Sequence, residues 1–233
     1  MRTEFNKIIF CFSLFTFVFF DSAFSQAKPK VKKTFRADVL LPRPLSNKAF
    51  DTLFSGVYNL NLSMNFGVKN FNTGIFIGSM QCQIFPKFQS DPHAIQSVKS
   101  AGLRLSYDIY PSKAKMAATE GNFFVFSPFL CSGYTLVDYS RLKCMTGSPE
   151  GKHSQTYSIY GGLNMNIMFS EYDGVGFTLG YMYLNHEFNP DPLCLTQFFP
   201  NIPDKYKHGV SQYFMFGFNW YIDLVKRDNG TSQ

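Results

Sequence analysis

The chain lacks a long apolar run that could cross a bilayer as a helix. Its mean hydropathy is −0.10, and its apolar run at residues 8–20 is shorter than the roughly 20 residues that a transmembrane helix needs. This absence excludes a helical membrane protein.

Charge is scarce in the middle of the chain. Seven stretches of alternating apolar and polar side chains hold between them only Lys99, Arg104 and Asp108 as charged residues. A soluble sandwich or lipocalin would place Lys and Glu on the wet face of each strand. Strands with so little charge on both faces indicate lipid outside. The stretches are 57–68, 73–85, 98–110, 123–134, 156–169, 175–185 and 210–222.

Motifs for metal and nucleotide binding are also missing. The chain has no C-x-x-C or H-x-x-x-H spacing, which zinc sites use, and no glycine-rich phosphate loop. Its glycines, such as Gly161 and Gly162, fit close strand packing or bends instead. The sequence therefore predicts no cofactor, no metal and no nucleic-acid partner.

What the chain does contain is period-two alternation, seen best at residues 57–68. Successive side chains of a strand point to opposite faces, so a strand between lipid and a narrow lumen must change chemistry at every residue. The pattern predicts an all-β fold, an antiparallel transmembrane up-and-down β-barrel. One face would carry Tyr58, Leu60, Leu62, Met64, Phe66 and Val68, and the other Asn59, Asn61, Ser63, Asn65 and Gly67.

Residues 1–25 predict a cleaved secretory signal peptide. Arg2 and Lys7 precede the apolar run, and Ala23 and Ser25 are small residues at the spacing that a signal peptidase reads. We expect the mature chain to begin at Gln26 and to leave the cytoplasm.

The mature chain is predicted to be one barrel domain, residues 35–222, between two polar ends. Residues 26–34 form a basic arm with Pro29 inside it, and 223–233 form a polar tail. A solvated, disordered arm is the favoured interpretation, and contact with anionic lipid or an acidic polymer is the alternative.

The connections indicate the orientation of the barrel. Short connections at 69–72 and 170–174 are typical of the periplasmic side, and long ones at 135–155 and 186–209 are typical of the exterior.

An even strand number requires an eighth strand that runs outward before 57–68. Residues 35–41 supply it, although this strand is short and carries charge. We expect Pro42 and Pro44 to lie in the external loop that follows, outside ladder pairing.

The last strand carries spacing similar to the C-terminal insertion signal of outer-membrane barrels, at Gly217, Trp220 and Ile222. Together with residues 126–134, this pattern resembles the small eight-stranded outer-membrane barrels of the OmpA/OmpX-like group, and more narrowly the PorT-like barrels associated with type IX secretion. The resemblance covers roughly 35–222. It implies the outer membrane of a Gram-negative bacterium, with outer-membrane lipid and the barrel assembly machinery as partners.

The lumen is the first candidate site. An eight-stranded interior is just wide enough for side chains to fill, so a hydrogen-bonded polar plug is favoured over a conducting path. Arg104 and Asp108 lie about 13 Å apart along one strand, too far to pair, and each should have a partner on another strand. The predicted lumen residues are Asn59, Asn61, Asn65, Gln81, Gln83, Arg104, Asp108, Asn164, Asn166 and Asn219.

The external loops hold a second set of candidates. Cys144 and Cys194 lie in two long loops, and an oxidising compartment favours a disulfide between them. Cys82 and Cys131 lie within strands and are interpreted as inert packing residues. The four histidines lie in or beside the long connections at 86–97, 135–155 and 186–209, and they suggest a metal or catalytic site, but no ligand spacing supports it. They are His93, His153, His186 and His208.

Three functions remain open from the sequence. The favoured one is a non-enzymatic outer-membrane barrel that presents external loops to the cell exterior or to a partner such as another envelope protein. The second is an accessory subunit of a secretion or transport complex, and the third is a lipid-modifying enzyme that would use fragments such as His186-Glu187 or His153-Ser154. A lone barrel should be apolar around its whole girth, whereas a subunit should show a protein-facing seam.

Overall fold

A computed structural model describes residues 31–45, 48–84, 94–111, 123–150, 152–170 and 173–224. The predicted signal peptide, the arm up to residue 30, the tail beyond Leu224 and His93 lie outside these residues.

The described residues form eight strands, one helix and two short 3-10 helices. Helix α1 (Lys48–Leu53) lies between the first two strands, and the 3-10 helices (Leu195–Gln197 and Asp204–Tyr206) lie between the last two. No helix in this part of the chain has the length and apolarity needed to cross a bilayer. The strands are β1 (Lys32–Pro44), β2 (Ser55–Val68), β3 (Phe71–Gln83), β4 (Ile95–Tyr107), β5 (Phe123–Ser140), β6 (His153–Met168), β7 (Asp173–Glu187) and β8 (Val210–Asp223).

The strands close into a barrel in which each pairs with the next in the sequence and β8 pairs with β1. Every pairing is antiparallel, so the predicted fold class is confirmed, and β1, the strand that carries charge, is a full member of the barrel. Following paired residues once around the barrel from Lys32 leads back to β1 at Pro42, ten residues further along. The path runs through Gly67, Asn72, Ser106, Phe129, Gly162, Gly180 and Met215.

The prolines of the predicted first loop are part of β1. Pro42 pairs with Met215 and Pro44 with Tyr213, so the prediction that they lie outside ladder pairing is wrong. The pairing of β1 with β2 ends at Leu40. Both prolines therefore lie where one side of β1 has no ladder partner, and a missing N–H is tolerated there.

The loop predicted at 135–155 is shorter than expected, because β5 runs on to Ser140 and β6 starts at His153. Alternation continues through this extension, with Val137 and Tyr139 buried inside the barrel and Asp138 outside. We call the end with α1 and the connections 141–152 and 188–209 the loop end. The opposite end, with the connections at 69–70 and 169–172, is the turn end.

Candidate functional site

The turn-end half of the lumen holds two buried ion pairs. Arg36 Nη2 lies 2.6 Å from Asp108 Oδ1, and Arg104 Nη1 lies 3.1 Å from Asp38 Oδ2; all four side chains are 1% exposed. Arg104 and Asp108 do find partners on another strand, and both partners come from β1. The charges of Arg36 and Asp38 on β1, unusual for a barrel strand, are explained by these pairs across the lumen.

Asp108, directly after β4, accepts further hydrogen bonds. Ser127 Oγ donates to its Oδ1 at 2.6 Å, and Asn72 Nδ2 donates to its Oδ2 at 3.0 Å. A buried carboxylate with a paired guanidinium and these donors has most of its lone pairs satisfied, which offsets the cost of its burial.

Asn164 connects the two ion pairs. With its amide oxygen facing the guanidinium groups, it accepts from Arg104 Nη2 at 2.8 Å and from Arg36 Nη1 at 3.1 Å, while its nitrogen donates to Thr178 Oγ1 at 3.0 Å. Asn219 Nδ2 donates to the same hydroxyl at 2.9 Å. We call Arg36, Asp38, Arg104, Asp108 and Asn164 the ionic layer.

Aromatic rings complete this half. The guanidinium of Arg104 lies 4.3 Å from the ring centroid of Phe129, and that of Arg36 lies 4.9 Å from the ring centroid of Tyr221. Stacking of this kind favours Arg over Lys at both positions.

Most of the predicted lumen residues do face the lumen, but two do not. Gln81 and Gln83 lie on the outer face of β3, because Met80 and Cys82 take the buried positions beside them and the alternation continues without a bulge. Gln81 pairs with the outward Tyr58. This part of the prediction is wrong. The buried members of the set are Asn59, Asn61, Asn65, Arg104, Asp108, Asn164, Asn166 and Asn219.

The loop-end half of the lumen is apolar, which the sequence reasoning missed. Instead of a polar plug along the whole lumen, this half is a hydrophobic core closed by side chains of α1 and of the 188–209 connection. The apolar residues at inward positions of the loop-end strand segments were the available signal. The strand residues of this core include Met80, Cys82, Val98, Val137, Leu184 and Met215.

The cap consists of stacked aromatic rings. Phe50 of α1 and Phe54, which directly follows the helix, lie 4.5 Å apart, ring centroid to centroid, and Phe188 meets them edge-on at 5.0 and 5.8 Å. Phe50 also meets Tyr213 edge-on at 6.0 Å. Each of the three phenylalanines is at most 2% exposed.

Beneath the cap, a chain of hydrogen bonds uses the polar atoms of the core. Tyr213 donates to Gln96 Oε1 at 2.9 Å, Gln96 Nε2 donates to Tyr139 at 2.8 Å, and the Tyr139 hydroxyl lies 3.1 Å from His186 Nε2. These polar groups thus have partners despite their burial.

A cavity of about 10 Å³ lies where the halves meet, lined by residues that include Asn59, Asn61 and Tyr160. A volume of this size holds at most about one water molecule. The interior offers no room for a cofactor there.

The long loops are tied together outside the barrel. Cys144 and Cys194 form a disulfide with a Cα–Cα distance of 5.2 Å, and the Gln197 side chain accepts from the backbone N–H of Met145 at 2.6 Å. The Glu150 N–H also donates to the Pro192 carbonyl at 2.7 Å. Residues 141–150 and 188–209 therefore form one braced platform, which we call the loop platform. Cys82 and Cys131 are free and buried in the strands.

The three described histidines, His153, His186 and His208, each contact a different residue. His153 contacts Asp138, His208 contacts Glu187 at 3.0 Å, and His186 contacts Tyr139. None of these partners is a serine, threonine or cysteine, and no group of three potential ligands occurs in the described ranges.

The predicted insertion signal lies on the closing strand. Trp220 is on the outer face and 57% exposed, and Ile222 shares that face. A Cβ at Gly217 would lie 2.2 Å from the carbonyl oxygen of Val39, so the seam between β8 and β1 leaves no space for a side chain at this position.

Comparison with known proteins gives structural neighbours alone. No protein-family model matches the sequence, and no curated protein matches it significantly. The chain is similar to the outer membrane protein OprG from Pseudomonas aeruginosa, at 13% identity over 83% of this chain and 97% of that chain, with a TM-score of 0.39. It is similar to Ail, the attachment invasion locus protein of Yersinia pestis, at 11% identity over 82% of this chain and 98% of that chain, with a TM-score of 0.38.

Such distant likenesses transfer no function, and the fold assignment rests on the closed strand pairing. An eight-stranded antiparallel barrel with an apolar exterior is the architecture of the small transmembrane β-barrels. The predicted eight-stranded architecture is thus confirmed, while the narrower PorT-like resemblance stays a prediction.

Proposed function

We propose that this chain is a non-enzymatic outer-membrane barrel of a Gram-negative bacterium whose sealed strand framework presents the loop platform to the cell exterior or to another envelope protein. The observation that carries the proposal is the pairing of a filled lumen with a braced, exposed loop platform.

The membrane location follows from the outer face. Each strand exposes at least one large apolar side chain, and the exposed set includes Phe218 at 73%, Leu103 at 63% and Ile75 at 61%. Apolar surface of this extent is unfavourable in water and suits hydrocarbon. We expect a heat-modifiable barrel that migrates differently in gels before and after boiling, and recovery from the periplasm without detergent would contradict the location.

The exposed apolar side chains form an apolar belt around the barrel, and the continuity of this belt distinguishes a lone barrel from a complex subunit. The apolar exposure continues around all eight strands of the described chain, with Val39 on β1 and Phe218 on β8 on either side of the closing seam. An accessory subunit of a secretion or transport complex would need a polar or interrupted face against its neighbour. The uninterrupted apolar belt supports a barrel that acts alone.

In the described part of the chain, the two histidine fragments do not place a serine beside their histidines. His153 lies beside Asp138 on the outer face, as a base and its orienting acid would, but Ser154 belongs to the opposite face of β6. His186 and Glu187 likewise point apart. Nucleophilic catalysis needs the nucleophile within hydrogen-bond reach of the base, and a barrel that displays loops needs neither group.

Matched epitope tags test the display. One tag is inserted after Gly147 in the loop platform and another between Lys69 and Asn70 at the turn end. We expect antibody to label the first tag on intact cells and the second only after permeabilisation. Equal labelling of both, or the reverse order, would contradict the proposal.

A crosslinking experiment identifies the partner. Met145 is 65% exposed on the loop platform, so a photoreactive amino acid at this position should capture whatever binds there, and the same probe at Lys69 is the matched control. A partner captured equally from both positions would speak against recognition by the platform.

A further inference from the structure

The outer face of the barrel carries a groove of about 630 Å³. Strands β5, β6, β7, β8 and β1 contribute to it, its lining is almost wholly apolar, and no charged side chain lines it.

One wall of the groove is a row of cross-strand neighbours. Trp220 pairs with Ala37 on one side and with Val175 on the other. Ile167 pairs with Val175 and with Phe124, which extends the row to β5.

The other wall is the next outward row, two residues along each strand. It consists of Val39, Phe218, Phe177 and Met165, each paired with the next. The rings of Phe177 and Phe218 meet edge-on at 5.9 Å. Between the two rows, the floor of the groove includes Gly176 and Asn219.

The groove runs obliquely. Hydrogen-bonded rows climb around this barrel, as the ten-residue offset from Lys32 to Pro42 shows, so the groove climbs with them. It begins near the turn end, at the start of β5 beside Phe124, and ends at Val39 in the middle of β1.

The width of the groove selects its occupant. Outward side chains two residues apart on a strand are separated by about 7 Å, whereas a helix with its side chains is about 10–12 Å across. A helix therefore does not fit between the rows, and a closed barrel has no edge to which a strand could add. A single extended hydrocarbon chain is narrower than a helix, and the apolar lining of the groove suits it.

We propose that the groove binds one acyl chain of a phospholipid whose headgroup lies at the turn end. The proposal rests on the proposed function, because it requires hydrocarbon around the barrel. The groove is continuous with the apolar belt, so a chain reaches it directly from the leaflet at the turn end. Ala37, the smallest member of its row, leaves the upper part of the groove open.

Trp220 provides a direct readout, because it is the chain's one tryptophan and lines the groove. Purified, heat-modifiable barrel in detergent is titrated with a phospholipid that carries bromine on its acyl chains, which quenches tryptophan fluorescence on contact. We expect quenching that saturates near one phospholipid per barrel.

Two matched Ala→Leu substitutions distinguish lipid binding in the groove from ordinary lipid contact elsewhere on the outer face. Ala37→Leu fills the groove and should raise the lipid concentration for half-quenching at least tenfold. Ala101→Leu adds the same side chain to the outer face of β4, away from the groove, and should leave the titration unchanged. Val175→Phe enlarges a side chain in the same row as Ala37 and so narrows the groove. It serves as a second variant if Ala37→Leu fails to fold.

Quenching that rises in proportion to bromolipid without saturation, or that is identical in folded groove variants and wild type, would mean ordinary solvation and would overturn the proposal. A stable dimer in sedimentation that protects Trp220 would assign the groove to a second copy and overturn it as well. Because only heat-modifiable barrel is titrated, either result leaves the proposed function standing, whereas loss of heat-modifiability in wild type would reject the proposed function itself.

Discussion

The two halves of the lumen are filled by opposite chemistry. In the turn-end half, Arg36, Asp38, Arg104 and Asp108 are buried as ion pairs within a network of amides and hydroxyls. In the loop-end half, aliphatic and aromatic side chains pack under a cap from α1 and Phe188. The first half depends on pairing of charges and the second on packing.

The difference explains how β1 joins the barrel. Arg36 pairs across the lumen with Asp108, which directly follows β4, and Asp38 pairs with Arg104 on β4. Strand β4 is not a neighbour of β1 in the barrel. A shift of β1 by one residue would turn both charges toward lipid. The ionic layer therefore specifies the register of the first strand through paired charges, whereas the loop-end core stabilises the barrel by packing.

The largest effect is expected from breaking one ion pair. Arg36→Met leaves Asp108 charged and buried without its guanidinium, and such a loss costs about 3–5 kcal/mol. Equilibrium unfolding by denaturant in detergent or lipid measures the free energy. The double variant Arg36→Met/Asp108→Leu should recover a large part of the loss, and equal destabilisation of the single and double variants would contradict the charge-pair account.

The next effect is expected in the apolar half. Phe50→Ala removes a ring that is 1% exposed and should cost about 3 kcal/mol. The matched control is Phe71→Ala on the outer face, where the ring is 48% exposed and the loss should be much smaller. Hydrogen exchange should speed up at α1 and leave the ionic layer protected; uniform exchange across both halves would contradict their independence.

A smaller effect is expected from the brace above the core. Replacing Cys144 and Cys194 by Ser opens a link between residues 50 apart in the sequence and should cost about 2 kcal/mol. Protease should then cut the loop platform while the barrel stays heat-modifiable. Reductant should reproduce the effect in wild type and change nothing in the double variant. Unchanged protease resistance would mean that the disulfide does not hold the platform.

The smallest effect is expected on the outer face. Gln81→Leu should change the free energy of unfolding by no more than about 0.5 kcal/mol, because Gln81 points away from the lumen. Asn65→Leu, at a fully buried lumen position, should cost clearly more, since it places an apolar group among polar partners. Equal losses of free energy of unfolding in the two variants would indicate that the Gln81 side chain faces the lumen.

The sequence predicted the strands well because alternation is a local property that survives in every strand. It also placed Arg104 and Asp108 in the lumen, but their partners depend on which strands face each other across the barrel, and no local pattern carries this information. Alternation assigns Gln81 and Gln83 to the wrong face because the chemistry of the two faces is exchanged near the loop end of β3. There, outside the lipid, polar residues suit the outer face and apolar residues suit the inner one. The same exchange of faces produces the apolar core beneath α1, in which Met80 and Val98 point inward.

Conductance tests most directly the central claim that two different fillings each seal the lumen. Purified wild-type barrel in planar bilayers should give no steady conductance above the bare membrane. A variant that removes the cap, Phe50→Ala/Phe54→Ala/Phe188→Ala, should also stay closed, because the ionic layer still fills the turn-end half. Stable, reproducible channels in the wild type would contradict a sealed lumen, and channels in the cap variant alone would show that the ionic layer does not seal its half.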